Sequence, residues 1–336
     1  MTPRRKARLV DVALAAGVSP ATVSRAMTQP ELLSEETLQR VHASARKLGY
    51  SPNGMARALA SGRTMTIGAI VPTLDSTIFA RVLQSMQSTL AREGFQLLVA
   101  SHEMNPAAET EALRMLIARG VDGLMLVGAE RAREATALLR ICELPVVLTW
   151  CGNAEFAAVT VDNERAGALA AEHLLALGHR SIGMVVGRLL FNDRQSGRVA
   201  GARAALARAG LDLQDQLVSQ QDLTLAGGRN GCAALLDLAN PPTAIIGGID
   251  LFAIGCIQEA QSRNLVVPEE LSVVGIDNID MSAQMMPPLT TVHIPTAQIG
   301  QMAATTLIAQ IQGGIKGEQM ELPIELVVRK SATRRL

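Results

Sequence analysis

At residue 64 the chain changes its repeat. Before it, apolar residues recur only at helical spacing; after it, short apolar runs alternate with amphipathic helical stretches. The runs TIGAIVP, FQLLVAS, DGLMLVG, PVVLTW and AAVTVD read as buried strands, separated by helices over 78–92, 107–119 and 131–141. The alternation starts afresh with SIGMVVG, LVSQ, TAIIGG and SVVGID, interleaved with helices over 197–209, 228–238 and 252–263. A parallel strand pair needs a crossover, usually a helix, so two successive arrays of this kind predict an α/β body of two doubly wound parallel-sheet lobes. Such sheets take ligands at the carboxyl ends of their strands, here facing each other across a cleft.

The stretch before the change predicts an all-α head. Leu9, Val12, Ala13 and Ala16 share one helix face, and Gly17 suits the left-handed position that ends a helix. Ser19 is a good N-cap with Pro20 at the first helical position, which starts a second helix after a tight turn. Val23 and Met27 face the core of that helix, leaving Pro20, Ala21, Thr22, Ser24 and Arg25 toward the exposed side. A third helix is framed by Ser34, by Glu35 and Glu36 in its first turn, and by Arg46 and Lys47 before Gly49, an order that suits the helix dipole. Two helices joined by a three-residue turn, with a third behind, is the pattern of a helix-turn-helix DNA reader.

The charge balance agrees. The whole chain carries 31 basic and 31 acidic side chains, but residues 1–63 hold ten Lys and Arg against four acids. A head of +6 on a body of −6 suits a polyanionic partner for the head alone. With 336 residues, 48% of them hydrophobic, the chain has room for more than one core, and no apolar run approaches a membrane span. The start, MTPRRKARL, is basic without an apolar signal core, and Cys142, Cys151, Cys232 and Cys256 are scattered without metal spacing; a cytoplasmic protein with reduced thiols and no metal or cofactor is expected. No G-x-G-x-x-G follows a strand, and no P-loop, Ser-His-Asp or H-E-x-x-H signature occurs, which argues against an enzyme. His42, His102, His173, His179 and His293 form no visible site.

The segments ALAAGVSPATVSR and LGYSPN resemble the A-x-x-A-G-V-S-x-x-T-V-S-R and L-G-Y-x-P-N of the LacI/GalR family of bacterial repressors. Later motifs, HLLALGHRSIGMVVG, the R-x-x-G of Arg198–Gly201, VPEELSVVGID and PPLTTV, extend the resemblance over nearly the whole chain. It implies a helix-turn-helix domain over 1–50, a hinge helix or linker over 51–63, and a periplasmic-binding-protein-like effector and dimerisation domain over 64–336. The N-lobe would comprise about 64–162 and 293–322 and the C-lobe about 163–292 and 323–336, with crossings near Asp162, His293 and Leu322. It further implies that Pro20, Ala21 and Arg25 touch base edges, that Ser19, Thr22, Ser24, Ser34 and Thr37 touch phosphates, and that Leu59, with Asn53 and Arg57 in the same hinge segment, wedges into the minor groove of a palindromic operator. A homodimer is expected, since the chain ends at RKSATRRL without a leucine heptad tail.

For the small-molecule effector, the strand ends offer Asp75, Phe79, Trp150, Asn192, Arg194, Arg198 and Asp277; the resemblance implies ligand contact at Phe79, Arg198 and Asp277. Trp150 stands where the family commonly has Asp and Ile249 where it often has Asn, so one polar contact is lost. Trp150, the only tryptophan, is either a stacking surface or a core residue. Arg194 and Arg198 lie one turn apart near a helix start, which inclines the expectation toward a sugar acid, gluconate- or ketogluconate-like, over a neutral sugar; pairing with Asp193 or Asp277 is the alternative. A repressor is the family default, and an activator or a stand-alone solute-binding protein with the same body are the other readings.

Overall fold

Gly17 holds the head's turn together. At φ 65° it ends α1 (Leu9–Ala16) in the left-handed region, and the next residue's amide, Val18 N, donates back to Ala13 O at 3.0 Å. The computed structural model describes residues 7–50, 62–314 and 317–335, so Asn53, Arg57 and Leu59 lie outside the described residues. By its contacts the chain divides into Met1–Met65 and Thr66–Leu336.

In the first unit Ser19 Oγ accepts from Thr22 N at 3.1 Å to open α2 (Pro20–Thr28). Ser34 Oγ accepts from Thr37 N at 3.4 Å to open α3 (Glu35–Leu48), which Gly49 closes at φ 63°. Each cap satisfies an amide that the helix itself cannot. The core is built of Val12, Ala13, Ala16, Val23, Ala26, Val41 and Ala45; Met27 only packs against its edge. Alanine and valine keep the helices close while spending no polar surface.

In the second unit β1 (Thr66–Val71), α4 (Thr77–Arg92), β2 (Gln96–Ser101), α5 (Pro106–Ala118), β3 (Gly123–Val127), α6 (Arg133–Ile141), β4 (Val146–Trp150) and β5 (Ala157–Thr160) begin one lobe. The chain passes into the other as α7 (Asn163–Ala176), β6 (Ile182–Gly187), α8 (Asp193–Arg208), β7 (Val218–Gln221), α9 (Leu225–Leu236), β8 (Ala244–Gly247), α10 (Asp250–Ser262), β9 (Ser272–Asp277), a short α11 (Asp280–Gln284) and β10 (Thr290–His293). It returns as α12 (Thr296–Ile311) and β11 (Gln319–Glu321), then crosses once more as β12 (Glu325–Val327).

The sheets run β11-β5-β4-β3-β1-β2 and β12-β10-β9-β8-β6-β7. Strands β3, β4, β6, β8 and β9 are buried along their whole length, as continuous apolar runs covered on both faces require. Every pairing in the first sheet is parallel. The second departs from the all-parallel expectation at one edge, where β12 runs antiparallel to β10 with Glu325 opposite His293. A three-residue strand arriving from the other lobe has one neighbour to satisfy and no crossover helix to dictate its direction. In both sheets the strand order reverses between the first and third strands, β1/β3 and β6/β8, and the crevices outside those strand ends face one another.

The spacing predicts α8 from residue 197, but it starts at Asp193; the polar run Asp193–Gln195 reads as loop because its partners are distant in sequence, Ala129 and Glu130 of the other lobe for Asp193 and Gly248 of its own lobe for Gln195. Helix α8 lies backbone-to-backbone on α7. A Cβ on Gly167 would stand 1.8 Å from Arg198 O, and one on Gly201 would stand 1.7 Å from Glu164 O. Only glycine admits that approach, which is the physical reason for the spacing of Arg198 and Gly201. Gly201→Ala is expected to force α8 outward and cost at least about 2 kcal/mol, read as a lowered urea midpoint.

Candidate DNA-reading face and interlobe ligand site

On α2, Pro20, Ala21, Ser24 and Arg25 are exposed and Thr22 is half-buried. The first four recur at i, i+1, i+4 and i+5, so they share one face. The cap hydroxyls also meet neighbouring hydroxyls, Ser19 Oγ at 2.9 Å from Thr22 Oγ1 and Ser34 Oγ at 2.9 Å from Thr37 Oγ1. The head thus offers an exposed guanidinium on α2 and two capped helix N-termini, whose dipoles favour anions.

Between the lobes, Phe79, Trp150, Asn192, Arg194 and Arg198 converge on one slot together with Leu223, Ile249 and Leu251. Asp277 joins them through Arg198, and Asp75 stands apart at the mouth. The slot is nearly full, with about 30 Å³ left open. Trp150, the last residue of β4, adopts φ 66° and is fully buried. Its ring meets Phe79 edge-on, with centroids 5.4 Å apart at 71°, a favourable arrangement for aromatic quadrupoles. Trp150 also walls the slot from an open hollow of about 550 Å³ beside the β5–α7 crossing. Its Nε1 finds no acceptor among the described residues.

The two arginines are not open to an anion; the alternative pairing is the one observed. Arg198 donates from Nε to Asn163 Oδ1 at 3.2 Å, from Nη1 to Gly248 O at 2.5 Å and from Nη2 to Asp277 Oδ1 at 3.4 Å. Arg194 donates from Nη2 to Asn192 Oδ1 at 2.9 Å, and its Nη1 lies 3.6 Å from Asp193 Oδ1. Asp193 in turn reaches from the start of α8 into the other lobe, where its Oδ2 accepts from Ala129 N at 2.5 Å and Glu130 N at 3.2 Å. Gly128, at φ 77°, makes room, since a Cβ there would stand 2.7 Å from Arg194 Nη1. The basis for an acidic effector, two unpaired guanidinium groups at a helix start, is therefore absent.

Behind this clasp Arg131 and Glu109 pair at 3.5 Å with their side chains almost inaccessible. Burial pushes the Glu109 carboxyl up, against the pull of Arg131, and pulls Arg194 down. Burial, then the positive charges of Arg194 and Arg131, holds His102 at about 4, so it adds no third cation. Cys151 is pushed up to about 12, chiefly by burial and then by the charge of Asp193. Asp277, at φ 133°, is raised to about 7 by burial, with Arg198 opposing and Asp250 adding.

The residues that brace this site left weak traces in the sequence. Gln195 Oε1 accepts from Gly187 N at 3.2 Å while its Nε2 donates to Gly248 O at 3.1 Å. Asp250, buried beside Ile249, accepts from Ile279 N at 2.9 Å and from the hydroxyls of Ser282 and Thr291 at 2.5 Å each, fixing the loop after Asp277. Both follow strand ends, which is the one signal that points to them; the partners of Gln195 are 8 and 53 residues away and those of Asp250 are 29, 32 and 41.

The ligand-sized space lies at the mouth of the slot. A cavity of about 590 Å³ is lined from one lobe by Pro72–Asp75, Ser101, Glu103 and Met104 and from the other by Arg188, Asn192 and Gln221–Thr224. These are the exits of β1, β2, β6 and β7, where doubly wound sheets bind ligands. Among the described residues no group of His, Cys, Asp and Glu is arranged to hold a metal ion, and no helix is long and apolar enough to cross a membrane.

Residues 8–53 match the family model of bacterial regulatory proteins, lacI family, and residues 171–332 match a periplasmic binding protein-like domain. The HTH-type transcriptional repressor CytR of Escherichia coli (strain K12) is 34% identical over 331 residues, covering 97% of this chain and 96% of the relative. Among solved structures, a lac repressor dimer bound to operator and the anti-inducer ONPF superposes with a TM-score of 0.88 at 28% identity, covering 98% of this chain and 100% of that one. A transcriptional regulator CelR–cellobiose complex gives 0.73 at 27% identity, covering 97% and 99%.

The charge arrangement makes two measurable statements. Between 3.8, the ordinary value, and about 7, folded Asp277 keeps a proton that the unfolded chain has released, so its contribution to stability is lost as pH rises through that window. The urea midpoint of the wild type is expected to fall, relative to Asp277→Asn, as pH is raised from about 4 to about 7. Asp193→Ala removes the acceptor of the Ala129 and Glu130 amides. Their hydrogen exchange, followed by mass spectrometry, is expected to accelerate about tenfold, the worth of one charge-assisted hydrogen bond.

Proposed function

The chain belongs to the LacI family of bacterial regulatory proteins, and from that premise we propose that it is a DNA-binding transcriptional repressor whose operator affinity is set by a small molecule held between its two lobes. The observation that carries this is the exposed face of α2, with Arg25 beside Pro20, Ala21 and Ser24, on a head that folds around an apolar core of its own. Arg25 suits a guanine edge, to which a guanidinium donates bidentately, while Pro20 and Ala21 offer apolar contact to a thymine methyl. The capped starts of α2 and α3, at Ser19 and Thr22 and at Ser34 and Thr37, suit phosphates, with Ser24 beside them.

Asn53, Arg57 and Leu59 are assigned to the minor groove on the strength of the family resemblance, Leu59 as an apolar wedge whose insertion kinks the duplex. A homodimer on a palindromic site is supported by the related lac repressor, described as a dimer on its operator. The cellobiose in the CelR complex supports a carbohydrate-sized occupant of the interlobe space here. Effector binding acts by preferring one lobe arrangement, and its leverage on DNA equals the difference between its affinities for the two.

The test is duplex binding by the full chain, using a palindromic site selected from a random pool. Affinity is expected to fall linearly on a log–log plot against salt. Arg25→Ala is expected to cost about 1–3 kcal/mol on the selected site and little on random duplex. Equal losses on both would remove Arg25 from base reading; no salt-sensitive binding at all would remove the function.

A further inference from the structure

We infer that Trp150 is the specificity-determining residue of the interlobe site: its indole N–H, buried without a partner, is held for an acceptor oxygen of the effector and rejects a group that can only donate. The inference rests on the reading of the space between the lobes as the effector site.

Buried polar atoms are normally paired. Among the described residues three buried side-chain atoms are not: His102 Nδ1, His173 Nε2 and Trp150 Nε1. The two imidazoles tolerate this. Burial lowers both below the ordinary histidine value, and a neutral ring carries one bare nitrogen with no hydrogen to place. An indole has no such freedom. Its nitrogen always bears a hydrogen and can only donate, so leaving it dry forfeits a hydrogen bond outright. Of the three residues, Trp150 is the one that lines the inner slot, with Phe79, Arg198 and Ile249. Its Nε1 is closed to solvent, so the open hollow on the far side of the ring supplies it no water.

The surroundings fix this donor in place. Trp150 O accepts from Val161 N and from Asn163 Nδ2, each at 3.2 Å, and the Phe79 ring braces the indole edge-on. Asn163 Oδ1 accepts from Arg198 Nε at 3.2 Å, so one side-chain amide ties the end of β4 to the arginine of the slot. A φ of 66° is costly for so bulky a residue and persists only where neighbours over-determine it, as they do at ligand clamps.

The open space suits one acceptor atom. About 30 Å³ remains in the slot, room for about one water-sized group. Asn192 and Leu223 line both the slot and the mouth cavity of about 590 Å³, so a ligand reaches the indole from that side. Among the described side chains that line the slot, no other buried nitrogen or oxygen lacks a partner. A water there would gain one unspent partner, against the about three that a buried water usually has. A ligand oxygen is carried in by the contacts of the rest of its molecule and needs only the one. An ammonium group would set hydrogen against hydrogen, and no bond forms.

The chain's single tryptophan gives the full-length protein a single indole N–H resonance in a proton–nitrogen correlation spectrum, and that resonance is the readout. The probes are cellobiose and δ-valerolactam, which carry acceptor oxygens, and piperidine, the lactam's ring with an ammonium in place of the amide. A saturable downfield shift with cellobiose or the lactam, and none with piperidine, is expected. A resonance that neither acceptor probe moves, or that piperidine moves equally, overturns the inference. Replacing Trp150 by benzothienylalanine exchanges the N–H for sulfur at nearly constant shape. Because this removes an unpaired donor, the urea midpoint is expected to hold or rise, while calorimetry shows the active probe bound about fivefold more weakly, the worth of one hydrogen bond. A lowered midpoint means that the N–H is already satisfied in the free protein, by a bound water, and overturns the inference as well. Operator-duplex affinity of the same samples separates the two readings. A probe that pairs with the N–H yet leaves DNA affinity unchanged removes the effector role of the slot; DNA binding intact with no shift of the resonance removes the role of Trp150 alone.

Discussion

The packing of α7 on α8 governs the placement of nearly every polar group in the cleft. Gly167 and Gly201 let two helix backbones touch, each glycine lying against a carbonyl of the other helix. That contact brings Asn163 at the start of α7 to Arg198, and it sets the height at which Asp193 leaves the start of α8 for the opposite lobe. A helix pair separated by ordinary side chains stands 8–10 Å apart axis to axis; opened to that distance, the α7–α8 pair could not hold the Asn163–Arg198 hydrogen bond. The polar network is thus a product of backbone proximity and not the cause of it.

The lobes are joined by two kinds of linkage with different strengths. On one flank Arg81 and Asp280 pair at 2.6 Å with both side chains largely in water, a contact of small net worth. In the interior the Asp193 carboxylate is held by backbone amides and a buried guanidinium, where low dielectric and charge-assisted geometry make each bond count for more. Any rearrangement of the lobes therefore has its main electrostatic resistance at Asp193.

Much of the architecture was legible because its signals are local. A buried parallel strand shows as an unbroken apolar run, and the caps at Ser19 and Ser34 and the end at Gly17 are read from adjacent residues. The start of α8 was misplaced because Asp193, Arg194 and Gln195 look solvent-facing until partners distant in sequence meet them, from the other lobe for Asp193 and from Gly248 of the same lobe for Gln195. The direction of β12 was invisible for the same reason, since three residues carry no record of their partner. In the site, Phe79, Trp150, Asn192, Arg194 and Arg198 do come together, yet the pairing of the two arginines was not readable. It depends on Asn163, Gly248 and Ala129, which reach the arginines and Asp193 from 35, 50 and 64 residues away. The place of Glu103 in the cavity lining was missed because an isolated Glu in a loop has no distinguishing local pattern.

Asp193 has a consequence for what the protein ignores. A carboxylate tethered to the chain competes for its amide pair at an effective concentration in the millimolar range or above, and it is never diluted. A freely diffusing acid must exceed that concentration, or bind with extra contacts elsewhere, before it exchanges places. Fluctuations in the pool of ordinary organic acids around the protein would then pass without occupying the interlobe amides. The internal carboxylate already fills the amide pair that such an acid would otherwise take.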